Sequence, residues 1–403
     1  MTSNHSSTGG SSSGYSGPGQ RPHPSAEPTS TESPTPATTV TPRTPSPPRA
    51  SSSFSIPLRT RPSRRCKLTY AAHQTSAGPK RTDDHDSAYG SDAGSGYTSS
   101  ITSSIFHYQY ENGRRYHAYR EGQYVLPNDD QEQERLDLQH HIWRLLLGGR
   151  TYTAPLPDPA SEAAEGPRVL DLGTGTGIWA IDLADEFPTA DVFGVDLSPI
   201  QPEWVPKNCK FHVDDYEDDW TYREEERFDY IHGRALSGTS SDWARFYDRV
   251  MGGLKPGGWV EMQEYDAWIF SDDDSFDRAI WTKEWVTKLD DASKTYGKQI
   301  NVARFHKQWM IEAGFEDVQE LVYRIPIGPW AKDSALKELG RYELAHMQMS
   351  VESHTPALFT RVLGFSEDQA RVLMEGVKRE FRSKDYRLIT SYRFITGRKP
   401  LAP

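Results

Sequence analysis

The feature that most constrains the fold of this chain is an apolar segment that runs directly into a glycine-rich turn, RVLDLGTGTGI at residues 168–178. The segment has the character of a buried parallel strand, and the turn after it leads into a helix. Gly173, Gly175 and Gly177 follow at alternate positions, and glycine adopts left-handed dihedrals without steric cost, so the backbone can approach a ligand closely. Asp171 supplies an acceptor beside the loop. We therefore expect a ligand-cradling loop at the carboxyl end of a parallel strand.

The glycine spacing indicates which ligand the loop binds. A dinucleotide fingerprint needs G-x-G-x-x-G, but here the third glycine comes one residue early and Ile178 stands where the last should be. A dehydrogenase is therefore disfavoured. The pattern D-x-G-x-G-x-G resembles the first motif of class I methyltransferases that use S-adenosylmethionine (SAM). That resemblance implies a cofactor made of an amino acid, a sulfonium and an adenosine, with no phosphate.

Acidic residues follow the next two predicted strands. Asp196 ends the strand after the glycine loop, where a carboxylate can accept from both ribose hydroxyls; the alternative is a cap for the following turn. Asp215 follows the third apolar run, Cys209 to Val213. By resemblance to class I methyltransferases Asp215 contacts the adenine amino group and Tyr216 flanks the ring. The alternative is a solvated acidic turn, since Glu217 and its neighbours are also acidic.

The order of predicted elements is strand, helix, strand, repeated through residues 168–265, which implies a parallel, doubly wound α/β sheet. Resemblance to class I enzymes adds a final antiparallel pair of strands, at 318–327 and 386–396, at the sheet edge. A helical insertion at about 332–384 separates them. The expected fold is thus a Rossmann-like class I methyltransferase domain, with a mostly parallel seven-stranded sheet and helices on both faces.

Composition divides the chain into three parts. Residues 1–103 form a tail in which Ser, Thr, Pro and Gly dominate, so we expect disorder. Residues 104–150 form an N-terminal segment, and 151–403 form the methyltransferase domain. Residues 1–100 carry a net charge of +4, so the remainder carries −15 of the total of −11. An acidic domain is a poor nonspecific binder of nucleic acid or anionic membrane, because phosphate attraction requires clustered basic residues.

The N-terminal segment is rich in aromatic residues. Six lie within 19 positions, namely Phe106, Tyr108, Tyr110, Tyr116, Tyr119 and Tyr124. A capping pair, Asn128 with Gln131, then predicts the start of a helix with an apolar face. We expect a lid over the ligand cleft, whose aromatic faces attract a cation; the alternative is that these tyrosines fasten the segment to the domain surface.

Signals for other locations are absent from the sequence. It has no apolar leader and no run of 18 apolar residues, and its two cysteines, Cys66 and Cys209, exclude a disulfide framework. The nucleus and the cytoplasm both fit. A basic cluster at residues 59–67 is consistent with nuclear import or with a solvated linker.

Several segments together are similar to the LaeA-like fungal methyltransferases. They are residues 111–117, 126–137, 171–179, 194–202 and 397–401. The resemblance implies control of secondary metabolism and development, often through velvet-type partner proteins, although close relatives modify small metabolites. Thr174 stands where LaeA proteins usually have cysteine, so the chain could be a metabolite-tailoring paralogue.

Methyl transfer from a sulfonium requires alignment and exclusion of water rather than a protein nucleophile. If the acceptor is a hydroxyl, the candidate bases are His232, with Glu261, Glu264 and Tyr265 weaker. A structural hydrogen bond is the more common role for a single histidine at a strand end. The sequence predicts no metal site, because the acidic run at 272–274 is typical of a solvated loop or helix start and the histidine pair at 140–141 fits a helix surface.

Three functions remain: a SAM-dependent methyltransferase that regulates secondary metabolism, a small-molecule methyltransferase of the same fold, and a non-catalytic scaffold. The intact Asp171, Gly173, Gly175, Gly177 and Asp196 oppose the third. The methyl acceptor cannot be identified from these residues.

Overall fold

A computed structural model of the chain describes residues 108–117, 125–157 and 166–401. The predicted disordered tail, residues 1–103, lies outside the described residues. So do Phe106, Tyr119 and Tyr124 of the predicted lid. None of the described helices is long and apolar enough to cross a membrane.

The described strands are β1 (Gln109–Glu111), β2 (Arg114–Tyr116), β3 (Arg168–Leu172), β4 (Asp191–Asp196), β5 (Cys209–Val213), β6 (Phe228–Arg234), β7 (Leu254–Tyr265), β8 (Glu316–Pro326) and β9 (Ile389–Arg398). The described helices are α1 (Asp130–Leu146), α2 (Ile178–Glu186), α3 (Trp243–Gly253), α4 (Ser275–Arg278), α5 (Ile280–Tyr296), α6 (His306–Glu312), α7 (Ser334–His354) and α8 (Glu367–Arg382). A π-helical turn at Leu358–Val362 lies between α7 and α8.

Seven strands form one sheet in the order β5-β4-β3-β6-β7-β9-β8. The first five pair in parallel, and β9 runs antiparallel to both β7 and β8. This confirms the predicted mostly parallel sheet with an antiparallel pair at its edge. Strands β1 and β2 form a separate hairpin.

Successive side chains of each strand point to opposite sides of the sheet. Apolar side chains therefore lie on both faces, and helices cover both. On one face Val169 packs with Trp179 and Leu183 of α2. On the other face Leu170 and Leu172 join the apolar side chains of α3 and α6. Helices α5, α7 and α8 build a further core with the chain that follows β7.

Several predicted boundaries need correction. Apolar residues at helical spacing predict one helix from Ile300 to Ala313, but the observed helix is shorter and begins at His306, after a 3-10 turn at Ala303–Phe305. The capping role assigned to Asn128 was wrong: Asp129 is the N-cap of α1, because its extended backbone lets its carboxylate accept from the Glu132 amide at 3.0 Å. Asn128 instead donates from Nδ2 to Ser198 Oγ at 3.3 Å.

The N-terminal segment packs against the region between β8 and β9, which holds α7 and α8. Arg114 of β2 donates to Asp129 at 2.7 and 2.8 Å and to the Glu352 carbonyl oxygen at 2.9 Å. Arg135 of α1 is buried, holds Glu132 at 2.7 Å and donates to His346 Nε2 of α7 at 2.9 Å. These contacts join α1 to α7 through a buried polar junction.

Candidate cofactor site

The glycine loop lies between the carboxyl end of β3 and the start of α2. Gly173, Gly175 and Gly177 all have positive φ, at 60°, 58° and 78°, a conformation in which a side chain is strained. Gly177 is the N-cap of α2. The amide of Thr174 donates to the Val195 carbonyl oxygen at 2.9 Å, which fastens the loop to the end of β4.

Two of these glycines also permit close packing. A methyl group added at Gly173 would lie 2.6 Å from Leu236 Cδ2, and one at Gly177 would lie 2.5 Å from the Phe211 ring. At Gly175 the nearest atom would be Leu136 Cδ1 of α1, at an ordinary 3.4 Å. Gly173 and Gly177 are therefore constrained by their own protein neighbours, whereas the space beside Gly175 is open toward the cleft.

Asp171 is buried at the centre of the site and has two partners. Thr174 Oγ1 donates to Asp171 Oδ2 at 2.5 Å, and His232 Nδ1 lies 2.7 Å from Asp171 Oδ1. The imidazole of His232 is stacked on the Trp179 ring, with centroids 3.6 Å apart. The carboxylate therefore orients both the loop and the histidine, and His232 has the structural hydrogen bond that is common at a strand end.

Asp196, at the end of β4, accepts from two backbone amides. Its Oδ2 accepts from Gly175 N and its Oδ1 from Ser198 N, both at 2.8 Å. The second contact is the turn-capping interaction that the sequence left as an alternative. The pKa of Asp196 is raised to about 6, mainly by burial and to a smaller extent by the nearby Asp171 charge, while the amide hydrogen bonds oppose the rise.

Asp215 and Tyr216 follow β5 at the same edge of the sheet. Asp215 is buried, and its Oδ1 accepts from the Glu217 amide at 2.8 Å. The Tyr216 ring lies beside Gly173, and its hydroxyl contacts Thr239 Oγ1. Tyr216 thus borders the glycine loop, whereas Asp215 organises the acidic turn.

A cavity opens over the glycine loop. Its lining comprises Leu136 and Gln139 of α1, the loop residues 173–176, Asp171, Trp179, Arg234 and Ala235. Among the described residues, Gln139 Nε2 is buried without a hydrogen-bond partner. This amide nitrogen can donate to a polar ligand in the cavity.

Sequence reasoning missed Arg234 and Gln139. Arg234 ends β6, and its Nη1 lies 2.9 Å from His140 Nδ1. Burial lowers the pKa of Arg234 to about 10, while Asp171, Asp182 and Asp137 partly compensate its charge. The position of Arg234 at a strand end was a usable signal. The sequence predicted a lid over the cleft, but no local pattern indicates which residues of α1 face the loop.

The remaining base candidates hold other parts of the protein. Glu261 accepts from the Thr153 and Ala154 amides at 2.8 Å each, and from the Tyr230 hydroxyl at 3.0 Å. Glu264 accepts from Leu236 N at 2.7 Å and Ser237 Oγ at 2.8 Å. Burial raises the pKa of Glu264 to about 7.

Tyr265 differs from the other candidates because it lies beyond the donor cavity, in contact with the helical insertion. Its hydroxyl is 3.1 Å from His354 Nε2 of α7. Groups of three or more potential metal ligands are absent from the described part of the chain.

The strand order, the glycine loop at the end of β3 and the carboxylate at the end of β4 define a class I methyltransferase. Residues 138–320 also match the family model described as a methyltransferase domain. The enzyme is SAM-dependent, as the resemblance of the glycine loop to the first motif of class I methyltransferases implied.

Relatives place the chain within this class. Methyltransferase pytC of Aspergillus terreus is 39% identical over 302 residues, which cover 75% of this chain and 91% of that protein. The secondary metabolism regulator LAE1 of Cochliobolus heterostrophus is 37% identical, covering 72% of this chain and 94% of that protein. The secondary metabolism regulator laeA of Aspergillus flavus is 36% identical, with coverages of 72% and 77%. The chain belongs to the LaeA-like methyltransferase family.

Proposed function

We propose that this protein is a catalytically active methyltransferase that serves fungal secondary metabolism, with its methyl donor bound along the carboxyl ends of β3, β4 and β5. The observation that carries the proposal is the contact between the Gly175 amide and the Asp196 carboxylate, at 2.8 Å. It holds the loop and the acidic strand end together in one arrangement. Preorganisation of this kind reduces the cost of binding.

The donor's parts are assigned by matching chemistry. Asp196 accepts from the ribose hydroxyls, and Tyr216 and Asp215 border the adenine. The open space beside Gly175 receives the amino-acid portion. Gln139 Nε2 and the Arg234 guanidinium are donors on the wall of this cavity and suit a carboxylate.

When bound, SAM supplies a methyl group carried on a sulfonium. The protein's own residues position and enclose the methyl donor. Asp171 fixes the glycine loop through Thr174, and Leu136 covers the loop from α1. His232 has its Nδ1 engaged with Asp171 and its ring stacked on Trp179, so it serves as a positioning residue. Alignment and water exclusion are the contributions that methyl transfer needs most.

The role in secondary metabolism has two forms. Regulation of the LaeA type is supported by the names of the regulators that share 34–37% identity with this chain. Methylation of a small molecule is the second candidate, and it is supported by the name of methyltransferase pytC, which is 39% identical to this chain. A non-catalytic scaffold is opposed by the complete glycine loop and by Asp196.

Isothermal titration of the full-length chain with SAM, S-adenosylhomocysteine and NADH tests the proposal. We expect heat from the first two ligands and none from NADH. If neither SAM nor its demethylated product binds, the methyl-donor site is not functional and the scaffold becomes the leading candidate. Transfer of labelled methyl groups to a metabolite extract or to an extracted protein fraction then separates the two forms.

Partner proteins of the velvet type, and a nuclear or cytoplasmic location, are part of the same proposal and are supported by family membership. Affinity purification of the tagged chain from the fungus, with and without the residue 1–103 tail, tests the partners. Recovery of no velvet-type protein with either form would contradict this part of the proposal without affecting methyl transfer.

A further inference from the structure

A cationic group lies in the wall of the donor cavity, the guanidinium of Arg234 at the end of β6. One of its nitrogens, Nη1, lies 2.9 Å from His140 Nδ1. Asp171, Asp182 and Asp137 attract its charge, but no carboxylate in the described part of the chain forms an ion pair with it. An arginine side chain has five N–H donors, so several remain free for a ligand. A partly buried cation is stabilised when a ligand supplies an anion.

The hydrogen-bond directions around His140 follow from its partners. His140 is buried in α1, and its Nε2 lies 3.0 Å from Asp182 Oδ2 of α2. The Arg234 guanidinium can only donate, so His140 Nδ1 accepts, and Nε2 carries the proton and donates to Asp182. Burial lowers the pKa of His140 to about 4, against the opposing effect of Asp182, so the imidazole is neutral near pH 7. His140 therefore links a carboxylate to a guanidinium in one fixed orientation.

A second donor lies in the same cavity wall. Gln139, the residue before His140 in α1, is 2% exposed and lines the cavity. Its Nε2 has no hydrogen-bond partner among the residues that the structure describes. An amide and a guanidinium thus present a neutral and a charged donor to one cavity. A carboxylate can accept from both at once.

We propose that His140 is a positioning residue for donor binding, which holds the Arg234 guanidinium toward the carboxylate of the donor's amino-acid portion. The inference rests on the proposed function, which places that portion beside Gln139 and Arg234. Asp182 fixes the imidazole by accepting from Nε2, and the imidazole in turn accepts from Arg234. No proton is transferred in this arrangement. Its effect is to favour ligands that carry a carboxylate over ligands that lack one.

The test compares S-adenosylhomocysteine with S-adenosyl-3-thiopropylamine, which lacks only the carboxylate. In isothermal titration the full-length native protein should bind the first about 10- to 100-fold more tightly, as expected for hydrogen bonds to a charged group. His140→Phe keeps an aromatic ring but removes both hydrogen bonds. It should weaken binding of S-adenosylhomocysteine by roughly three- to tenfold and leave the affinity for the amine unchanged.

His141→Phe is the matched control, because His141 is the next residue of the same helix and lies outside the cavity lining. Its ring packs edge-on against Tyr342, with centroids 4.7 Å apart. We expect the native preference for the carboxylate in this variant. His140→Asn has a side-chain oxygen that can accept in the place of Nδ1, so it should retain more of the preference than His140→Phe. Thermal unfolding shows whether each variant is folded.

Similar affinities of the native protein for the two ligands would overturn the inference, and this comparison requires no variant. A loss in His140→Phe that is equal for both ligands would also overturn it, because a purely structural role affects both alike. So would an unchanged affinity of His140→Phe for S-adenosylhomocysteine, or a preference no larger in His140→Asn than in His140→Phe. If S-adenosylhomocysteine gives no binding heat with the native protein, the proposed function has failed instead. The two failures are therefore distinguishable.

Discussion

The glycine loop and the junction between α1 and α7 are both buried and polar, but they are assembled in different ways. In the loop, Thr174 contacts Asp171 three residues away, and Ser198 contacts Asp196 two residues away. At the junction, Arg135 reaches His346 across 211 residues of sequence. The two turns of the donor site are thus local products of the sequence, whereas the cover over the site depends on contacts between segments that are distant in sequence.

The glycine loop and the junction therefore have different roles. The loop supplies backbone geometry that any class I methyltransferase needs. The junction decides how α1 lies over that loop, because a side-chain atom of Leu136 in α1 is the nearest neighbour to the open face of Gly175. Changes at the junction should alter stability first, and changes in the loop should alter ligand binding first.

The largest expected effect is on stability, from Arg135→Leu. This variant leaves the buried Glu132 carboxylate without its bidentate partner, and breaking a buried pair in this way costs about 3–5 kcal/mol. Urea unfolding monitored by tryptophan fluorescence measures the change. Arg144→Leu is the control, since its side chain is 43% exposed and its loss should cost less than about 1 kcal/mol. Equal losses in the two variants would contradict a special role for the junction.

Next in size is the effect of Gly175→Leu on SAM affinity. The side chain would occupy the open space of the donor cleft, so binding should fall by at least about 100-fold, which corresponds to roughly 2.7 kcal/mol. Gly148→Leu is matched for backbone strain, because Gly148 also has a positive φ of 64° but has no atom near its added Cβ. Isothermal titration should therefore show normal SAM binding for Gly148→Leu. A similar loss in both variants would point to strain rather than to filling of the cleft.

The next comparison, with a smaller expected loss of stability, is between the N-cap aspartates of α7 and α1. Asp333→Ala removes the cap of α7, which accepts from Leu336 N at 2.9 Å, and should cost about 1 kcal/mol. Asp129→Ala removes both the cap of α1 and the partner of Arg114, so it should cost about 2 kcal/mol. Denaturation midpoints of the two variants provide the measurement. If Asp129→Ala is no worse than Asp333→Ala, the ion pair with Arg114 contributes nothing.

The smallest effect is a pH dependence within the loop region. The pKa of Asp196 is raised from 3.8 to about 6 in the folded chain, so the folded state takes up the proton more readily than the unfolded state. This contribution to stability is present below about pH 4 and is lost as the pH rises through about 6. Relative to Asp196→Asn, the free energy of unfolding of the native protein should fall by on the order of 1 kcal/mol across that window. This value is reduced because the side chain is partly exposed. Thermal unfolding of both proteins from pH 4 to pH 7.5 gives the difference, and parallel curves would refute the shift.

Much of the fold could be predicted from the sequence because its signals are local. The apolar strand before Gly173 and the acidic strand end at Asp196 are visible within a few residues each. A lid was predicted, but the residues through which α1 contacts the domain could not be, since contacts such as Arg135 with His346 have no local pattern. The environment of Glu264 was equally hidden: its carboxylate holds the Leu236 amide across 28 residues of sequence.

Three consecutive residues of α1 contact three different parts of the protein. Arg135 contacts α7, Leu136 covers Gly175, and Asp137 accepts from Thr176 Oγ1 at 3.0 Å. Each residue of a helix is turned by about 100° from its predecessor. A single-residue insertion or deletion early in α1 would therefore rotate all three side chains away from their partners at once. Over evolutionary time the side chains of this helix can be exchanged one by one, but the number of residues within it should remain fixed.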